Sequence, residues 1–136
     1  MKKTLTLLAM AILGTAFAQT QVTFQVDMNQ YSGTFTTPEV NGTFNGWCGN
    51  CAAMTDANGD NIWEVTIGLT AGDTVEYKFS HDNWTGQESL DATLDSACTL
   101  TTGTFTNRYI TIGNADTTLP VFCWEECVSC GGSSYT

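Results

Sequence analysis

The chain has 136 residues, 42% of them hydrophobic and 13% charged, with 13 Gly, 2 Pro and 6 Cys, which is the length and balance of a single folded domain and excludes collagen-like or disordered chains. Four basic residues, Lys2, Lys3, Lys78 and Arg108, face 14 acids for a net charge of −10, so no row of cations exists to neutralise phosphates and a nucleic-acid partner is not expected.

Residues 1–18 read as a secretory signal peptide. Lys2 and Lys3 form a positive start, Leu5 to Leu13 an apolar stretch too short for a membrane span, and Ala16-Phe17-Ala18 a small-x-small cleavage pattern ahead of Gln19. Removing them takes away two of the four cations and none of the 14 acids, leaving a net charge of −12. Such a chain repels anionic polymers, so anionic polysaccharides are poor ligands unless calcium bridges them, while neutral ones are unaffected.

Period-two alternation dominates the chain after Gln19. Val22, Phe24, Val26 and Met28 alternate with Thr23, Gln25 and Asp27. Trp63, Val65 and Ile67 oppose Ile62, Glu64 and Thr66, and Val75, Tyr77 and Phe79 oppose Thr74, Glu76 and Lys78. A last strand runs over 108–112 with a start as early as Thr104. Turn signals separate these runs at Tyr31-Ser32-Gly33, Asn45-Gly46, 56–60, Ala71-Gly72-Asp73 and Gly113-Asn114. The pattern predicts an all-β antiparallel sandwich over 19–112. The stretch 86–102 has no period and reads as a long, functional loop, and 113–136 as a Cys-rich tail or linker.

An exported chain with six cysteines (Cys48, Cys51, Cys98, Cys123, Cys127, Cys130) reads first as disulfide-braced. Fifteen pairings are open; the preferred set joins Cys48 to Cys51, Cys127 to Cys130 and Cys98 to Cys123. The competing reading is a four-thiolate zinc site built from the two C-x-x-C pairs. Asp56-x-Asn58-x-Asp60 has the outline of a calcium loop, but its Gly59 stands at the wrong position and a tight turn explains it better. No metal or other cofactor is expected.

The run Val40-Asn41-Gly42-Thr43-Phe44-Asn45-Gly46-Trp47, then Asp60-Asn61-Ile62-Trp63-Glu64-Val65, Glu76-Tyr77-Lys78-Phe79 and Asp82-Asn83-Trp84, resembles the glycogen- and starch-binding modules. These are immunoglobulin-like sandwiches of the isoamylase N-terminal and AMP-activated kinase β-subunit type. The likeness covers about 38–112, with Gly103-Thr104 and Asn107-Arg108 where the family's last element begins. Val22 to Met28 and the cysteines also resemble repeated modules of secreted Bacteroidetes-type proteins.

The resemblance implies a non-catalytic module binding a neutral polysaccharide, an α-glucan. Trp47 and Trp84 would be the stacking platforms, Lys78 a donor, Asn107 a polar contact and Thr104 an additional one. The chemistry suits the ligand, because a pyranose offers an apolar C–H face to an indole and hydroxyls to a few fixed polar groups. Against each role stands a plainer one: Trp47 or Trp84 as core, Lys78 and Arg108 as surface cations pairing with nearby acids. Trp63 is expected in the core, and Trp124 packed over disulfides. His81, the single histidine, has no placed nucleophile beside it, and one small sandwich with scattered acids does not build a two-carboxylate cleft, so catalysis is not expected. The alternative function is a structural or adhesive surface protein that self-associates through sandwich edges and the tail. An appended catalytic domain is compatible with either reading.

Overall fold

The computed structural model describes residues 17–131. Most of the signal segment and the Gly-Ser end therefore lie outside the described residues. Among the described residues, nine strands form two packed sheets, as the alternation predicts. They are β1 (Gln19–Asp27), β2 (Pro38–Gly42), β3 (Ile62–Thr70), β4 (Thr74–His81), β5 (Gly86–Gln87), β6 (Thr99–Thr102), β7 (Phe105–Thr111), β8 (Thr117–Thr118) and β9 (Phe122–Cys123). A short 3₁₀ turn, Thr43–Asn45, follows β2. No helix among the described residues is long and apolar enough to cross a membrane.

One sheet is built on the antiparallel β1–β3 pair, in register from Gln19 opposite Thr70 to Asp27 opposite Ile62. That register sets Val22, Phe24 and Val26 against Ile67, Val65 and Trp63 on the inner face. The outer face carries polar pairs, with the Thr23 and Thr66 hydroxyls 2.7 Å apart. The second sheet has the order β2-β4-β7-β6, with β5 also on β4. Its inner face supplies Val40, Val75, Tyr77 and Phe79, and the core closes where Phe24 meets the edge of Tyr77 at 4.9 Å between ring centres. Trp63 packs against this core from a half-buried position, its Nε1 donating to Asn61 Oδ1. Trp124 is buried beside Tyr31 and His81.

The structure corrects several sequence expectations. Residues 113–131 are not a linker, because β8 and β9 add to the free edge of β1 in parallel, so the sheet is not purely antiparallel. Crossing from β7 to the other sheet delivers the chain in the direction of β1, and Asp116 fixes the entry by accepting the Gln21 N–H. The stretch 86–102 is not one loop, since it holds β5 and β6 at its ends.

The cysteine pairing also differs. Cys48–Cys51 forms as expected, but the others are Cys98–Cys127 and Cys123–Cys130. After β9 the chain reverses through Glu125, at φ 67°, and the Cys123 N–H donates to Val128 O. That reversal faces Cys123 toward Cys130 and leaves Cys127 against the 91–98 segment, where Cys98 lies. Cys48 and Cys51 bond to each other, whereas Cys127 and Cys130 bond to Cys98 and Cys123, so all four sulfurs of the two C-x-x-C pairs are taken up in disulfides and the outline of a four-thiolate zinc site dissolves. The 56–60 segment is a turn held by the Asp56 carboxylate, which accepts from the N–H groups of Gly59, Asp60 and Asn61.

Candidate functional site

Two turns at one end of the second sheet present the tryptophans. The first follows β2. Asn45 clamps it by accepting from the Gly42 N–H and donating to Val40 O, and the chain then passes through left-handed conformations at Gly46 and Trp47, φ 62° and 59°. The Cys48–Cys51 bond closes the next few residues into a small ring. The second turn follows β4 and is more unusual, because Asp82, Asn83 and Trp84 all have positive φ, 51°, 54° and 64°. Three consecutive non-glycine residues in that region cost on the order of 1 kcal/mol or more each, a strain that persists only when the surroundings impose it.

The surroundings do so through a buried polar network. The Glu39 carboxylate, 3% exposed, accepts the Asn83 N–H at 3.0 and 3.1 Å and the Ser80 hydroxyl at 3.4 Å. Asn41 donates to Ser80 Oγ at 2.7 Å and accepts the Gly49 N–H at 2.8 Å. The same few side chains of β2 and β4 therefore hold both turns. Trp84 Nε1 completes the link by donating to Trp47 O at 3.1 Å.

Gly49, at φ 88°, lies against this junction. A Cβ there would collide with Asn83 Oδ1 and stand 3.0 Å from Trp84 Cδ1. Gly49→Ala is expected to lower stability by about 1–2 kcal/mol and to displace the Trp84 ring; urea unfolding and near-ultraviolet circular dichroism check both.

Asp82 secures the far side of the second turn. Its carboxylate accepts the N–H groups of Thr36 and Thr37 and lies 3.1 Å from His81 Nδ1. Burial alone would raise its pKa, but these backbone donors and His81 outweigh burial and hold it below the ordinary aspartate value. A depressed folded pKa stabilises fully above about pH 4 and loses that contribution as the pH falls through the folded value. Asp82→Asn is thus expected to lower the urea midpoint at neutral pH, with the gap to wild type closing in strong acid.

Between the turns, the outer face of the sheet forms an open cleft of ≈ 490 Å³ lined by Trp47, Lys78, Trp84, Gln87, Phe105 and Asn107. The β4–β7 register, Glu76 opposite Tyr109 and Tyr77 opposite Arg108, carries Lys78 toward Asn107. Both tryptophans and Lys78 are partly exposed. Half-burial holds the Lys78 pKa below the ordinary lysine value, with Glu88 opposing the shift and Arg108 adding to it. Asn107 is oriented by donating to Glu76 Oε2 at 2.9 Å. Chemically the cleft offers flat apolar surface flanked by an ammonium and two amides.

Of the residues singled out in the sequence, Trp47, Lys78, Trp84 and Asn107 share this cleft, while Thr104 lines a neighbouring depression. Gln87 and Phe105 join them without having been expected. Phe105 is 70% exposed at the outer-face start of β7, and its one sequence signal is that strand's alternation, in phase with Asn107. Arg108, expected at the surface, is instead fully buried and paired with Glu88 at 2.7 Å. Its neighbour Asn107 faces the cleft, so strand alternation turns Arg108 inward. His81 is likewise buried, with Nε2 2.9 Å from the Tyr31 hydroxyl.

No protein-family model and no curated protein matches the chain. Among solved structures, a glycoside hydrolase family 15 glucoamylase from Hypocrea jecorina is similar at TM-score 0.54 and 23% identity, over 79% of this chain and 17% of that one. The Hormoconis resinae glucoamylase is similar at TM-score 0.51 and 16% identity, over 90% of this chain and 20% of that one. The chain thus spans a fifth or less of the length of these enzymes. The likeness is one of fold.

Proposed function

We propose that this protein is an exported, non-catalytic module that binds a neutral polysaccharide, an α-glucan, by stacking pyranose rings on Trp47 and Trp84. Lys78, Gln87 and Asn107 supply hydrogen bonds to the hydroxyls. The observation that carries this reading is the convergence of both tryptophans with Lys78 and Asn107 in one open cleft, on turns anchored by a shared buried network. Exposed aromatic surface is costly, and here it is held in strained backbone rather than folded away. Fold similarity to two glucoamylases, proteins of α-glucan chemistry by name, points the same way. Three disulfides suit an oxidising compartment outside the cell. Self-assembly through the tail is the weaker reading: all six cysteines are paired within the chain, and β8 and β9, two residues each, replace the long free edge of β1 with a short one.

Native electrophoresis through gels containing glycogen, amylose or a β-glucan tests the proposal. Selective retardation by the α-glucans supports it. Migration unchanged by every glucan removes it.

A further inference from the structure

The cleft does not end at Phe105. A shallower depression of ≈ 250 Å³ continues past that ring, sharing Lys78, Gln87 and Phe105 with the tryptophan cleft and adding Ser89, Leu90, Thr104 and Thr106. Its wall is built in. Glu88 N–H donates to Phe79 O, the Glu88 carboxylate accepts back from Phe79 N–H, and Ser89 N–H donates to Glu125 Oε1. Residues 88–90 are therefore fixed against both the sheet and the tail.

The lining is hydroxyl-rich, with Ser89, Thr104 and Thr106 around a Leu90 floor. The one acid there, Glu88, is 1% exposed and consumed by Arg108. Such a surface presents donors and acceptors without a free negative charge, which suits a neutral polyol. Phe105 stands at the junction of the two depressions, exposed and with no place in the core cluster.

We infer that the two depressions form one groove, in which the arm beyond Phe105 seats the continuation of the glucan chain held on Trp47 and Trp84. Phe105 is the apolar contact at the crossing, and the hydroxyls of Ser89 and Thr104 meet those of the added sugars. The ligand is then an extended stretch of polysaccharide rather than a single sugar or a short end. This inference rests on the proposed tryptophan site.

Calorimetric titration of the oxidised chain with maltotriose and with maltoheptaose tests it. The heptaose is expected to bind about tenfold more tightly or better, beyond the few-fold gain from its additional registers. Ser89→Ile, which puts a branched apolar side chain with neither hydroxyl nor flat face into the arm, is expected to reduce the heptaose affinity to near that of the triose; Thr104→Ile is the second such variant. Equal affinities in the wild type, or a length preference that survives both variants in folded protein, overturns the extended groove and leaves the tryptophan site standing. Failure of both sugars to bind overturns the tryptophan site and the groove together.

Discussion

Replacing Arg108 with methionine is expected to destabilise the fold by about 3–5 kcal/mol, the cost of leaving a buried partner charge uncompensated. The guanidinium donates to both oxygens of Glu88 and to Glu126 O, and lies over the rings of Phe79 and Phe122 at 5.2 and 4.8 Å. It thereby joins β7, the 86–98 segment and the tail, three separate pieces of the chain. Burial alone would pull its pKa down, but the charge and hydrogen bonds of Glu88 override that, so Arg108 titrates above the ordinary arginine value and stays charged. Removing it strands a carboxylate in the interior. Arg108→Met combined with Glu88→Gln is expected to recover much of the loss, since the amide introduced at position 88 keeps an acceptor for the Phe79 N–H and no charge is left unpaired. Urea unfolding of the single and double variants checks both statements; a single variant within about 1 kcal/mol of wild type contradicts the role given to the pair.

Substitution of the platforms has the second large effect, on binding rather than stability. Trp47→Ala and Trp84→Ala are each expected to weaken α-glucan binding by about 2 kcal/mol, roughly 30-fold, and the double variant to abolish measurable binding. Both rings are partly exposed and lie outside the core cluster, so the folded state survives their loss. The variants are not independent. Trp84 Nε1 is held by Trp47 O, so losing the Trp84 ring also removes one of the holds on the first turn, and the two effects add less than fully. Affinity electrophoresis with urea midpoints in parallel separates lost binding from lost folding.

How much of the fold is legible in the sequence depends on what each residue obeys. Strands β1, β3, β4 and β7 follow alternation because one face of each meets the core and the other meets solvent or a polar partner. Strand β2 escapes that pattern because all five of its residues are buried, polar Glu39 and Asn41 included, as they hold the site turns from behind. The parallel additions β8 and β9 are two residues long, too short for any period to register.

The disulfides depart from expectation because proximity in sequence favours one pairing, whereas the reversal at Glu125 and the docking of the tail on β1 impose another. Arg108 departs for a related reason. A lone arginine looks like surface until its partner Glu88, 20 residues away, is known to be buried with it.

At the site, the tryptophans, Lys78 and Asn107 are readable from local turn chemistry and from the resemblance to glucan-binding modules. Gln87 is not, and Phe105 shows only in the phase of its strand, in step with Asn107. Their contribution comes from how β5 and β7 lie beside the turns, a relation between elements that no single stretch encodes.

Ring stacking on Trp47 and Trp84 is the central claim, and the indole N–H resonances report it directly. The chain has four tryptophans, all among the described residues, so a nitrogen–proton correlation spectrum carries four assignable indole signals. Titration with maltoheptaose is predicted to shift those of Trp47 and Trp84 while leaving Trp63 and Trp124 in place. No shift at saturating sugar, or shifts confined to Trp63 and Trp124, would contradict the account.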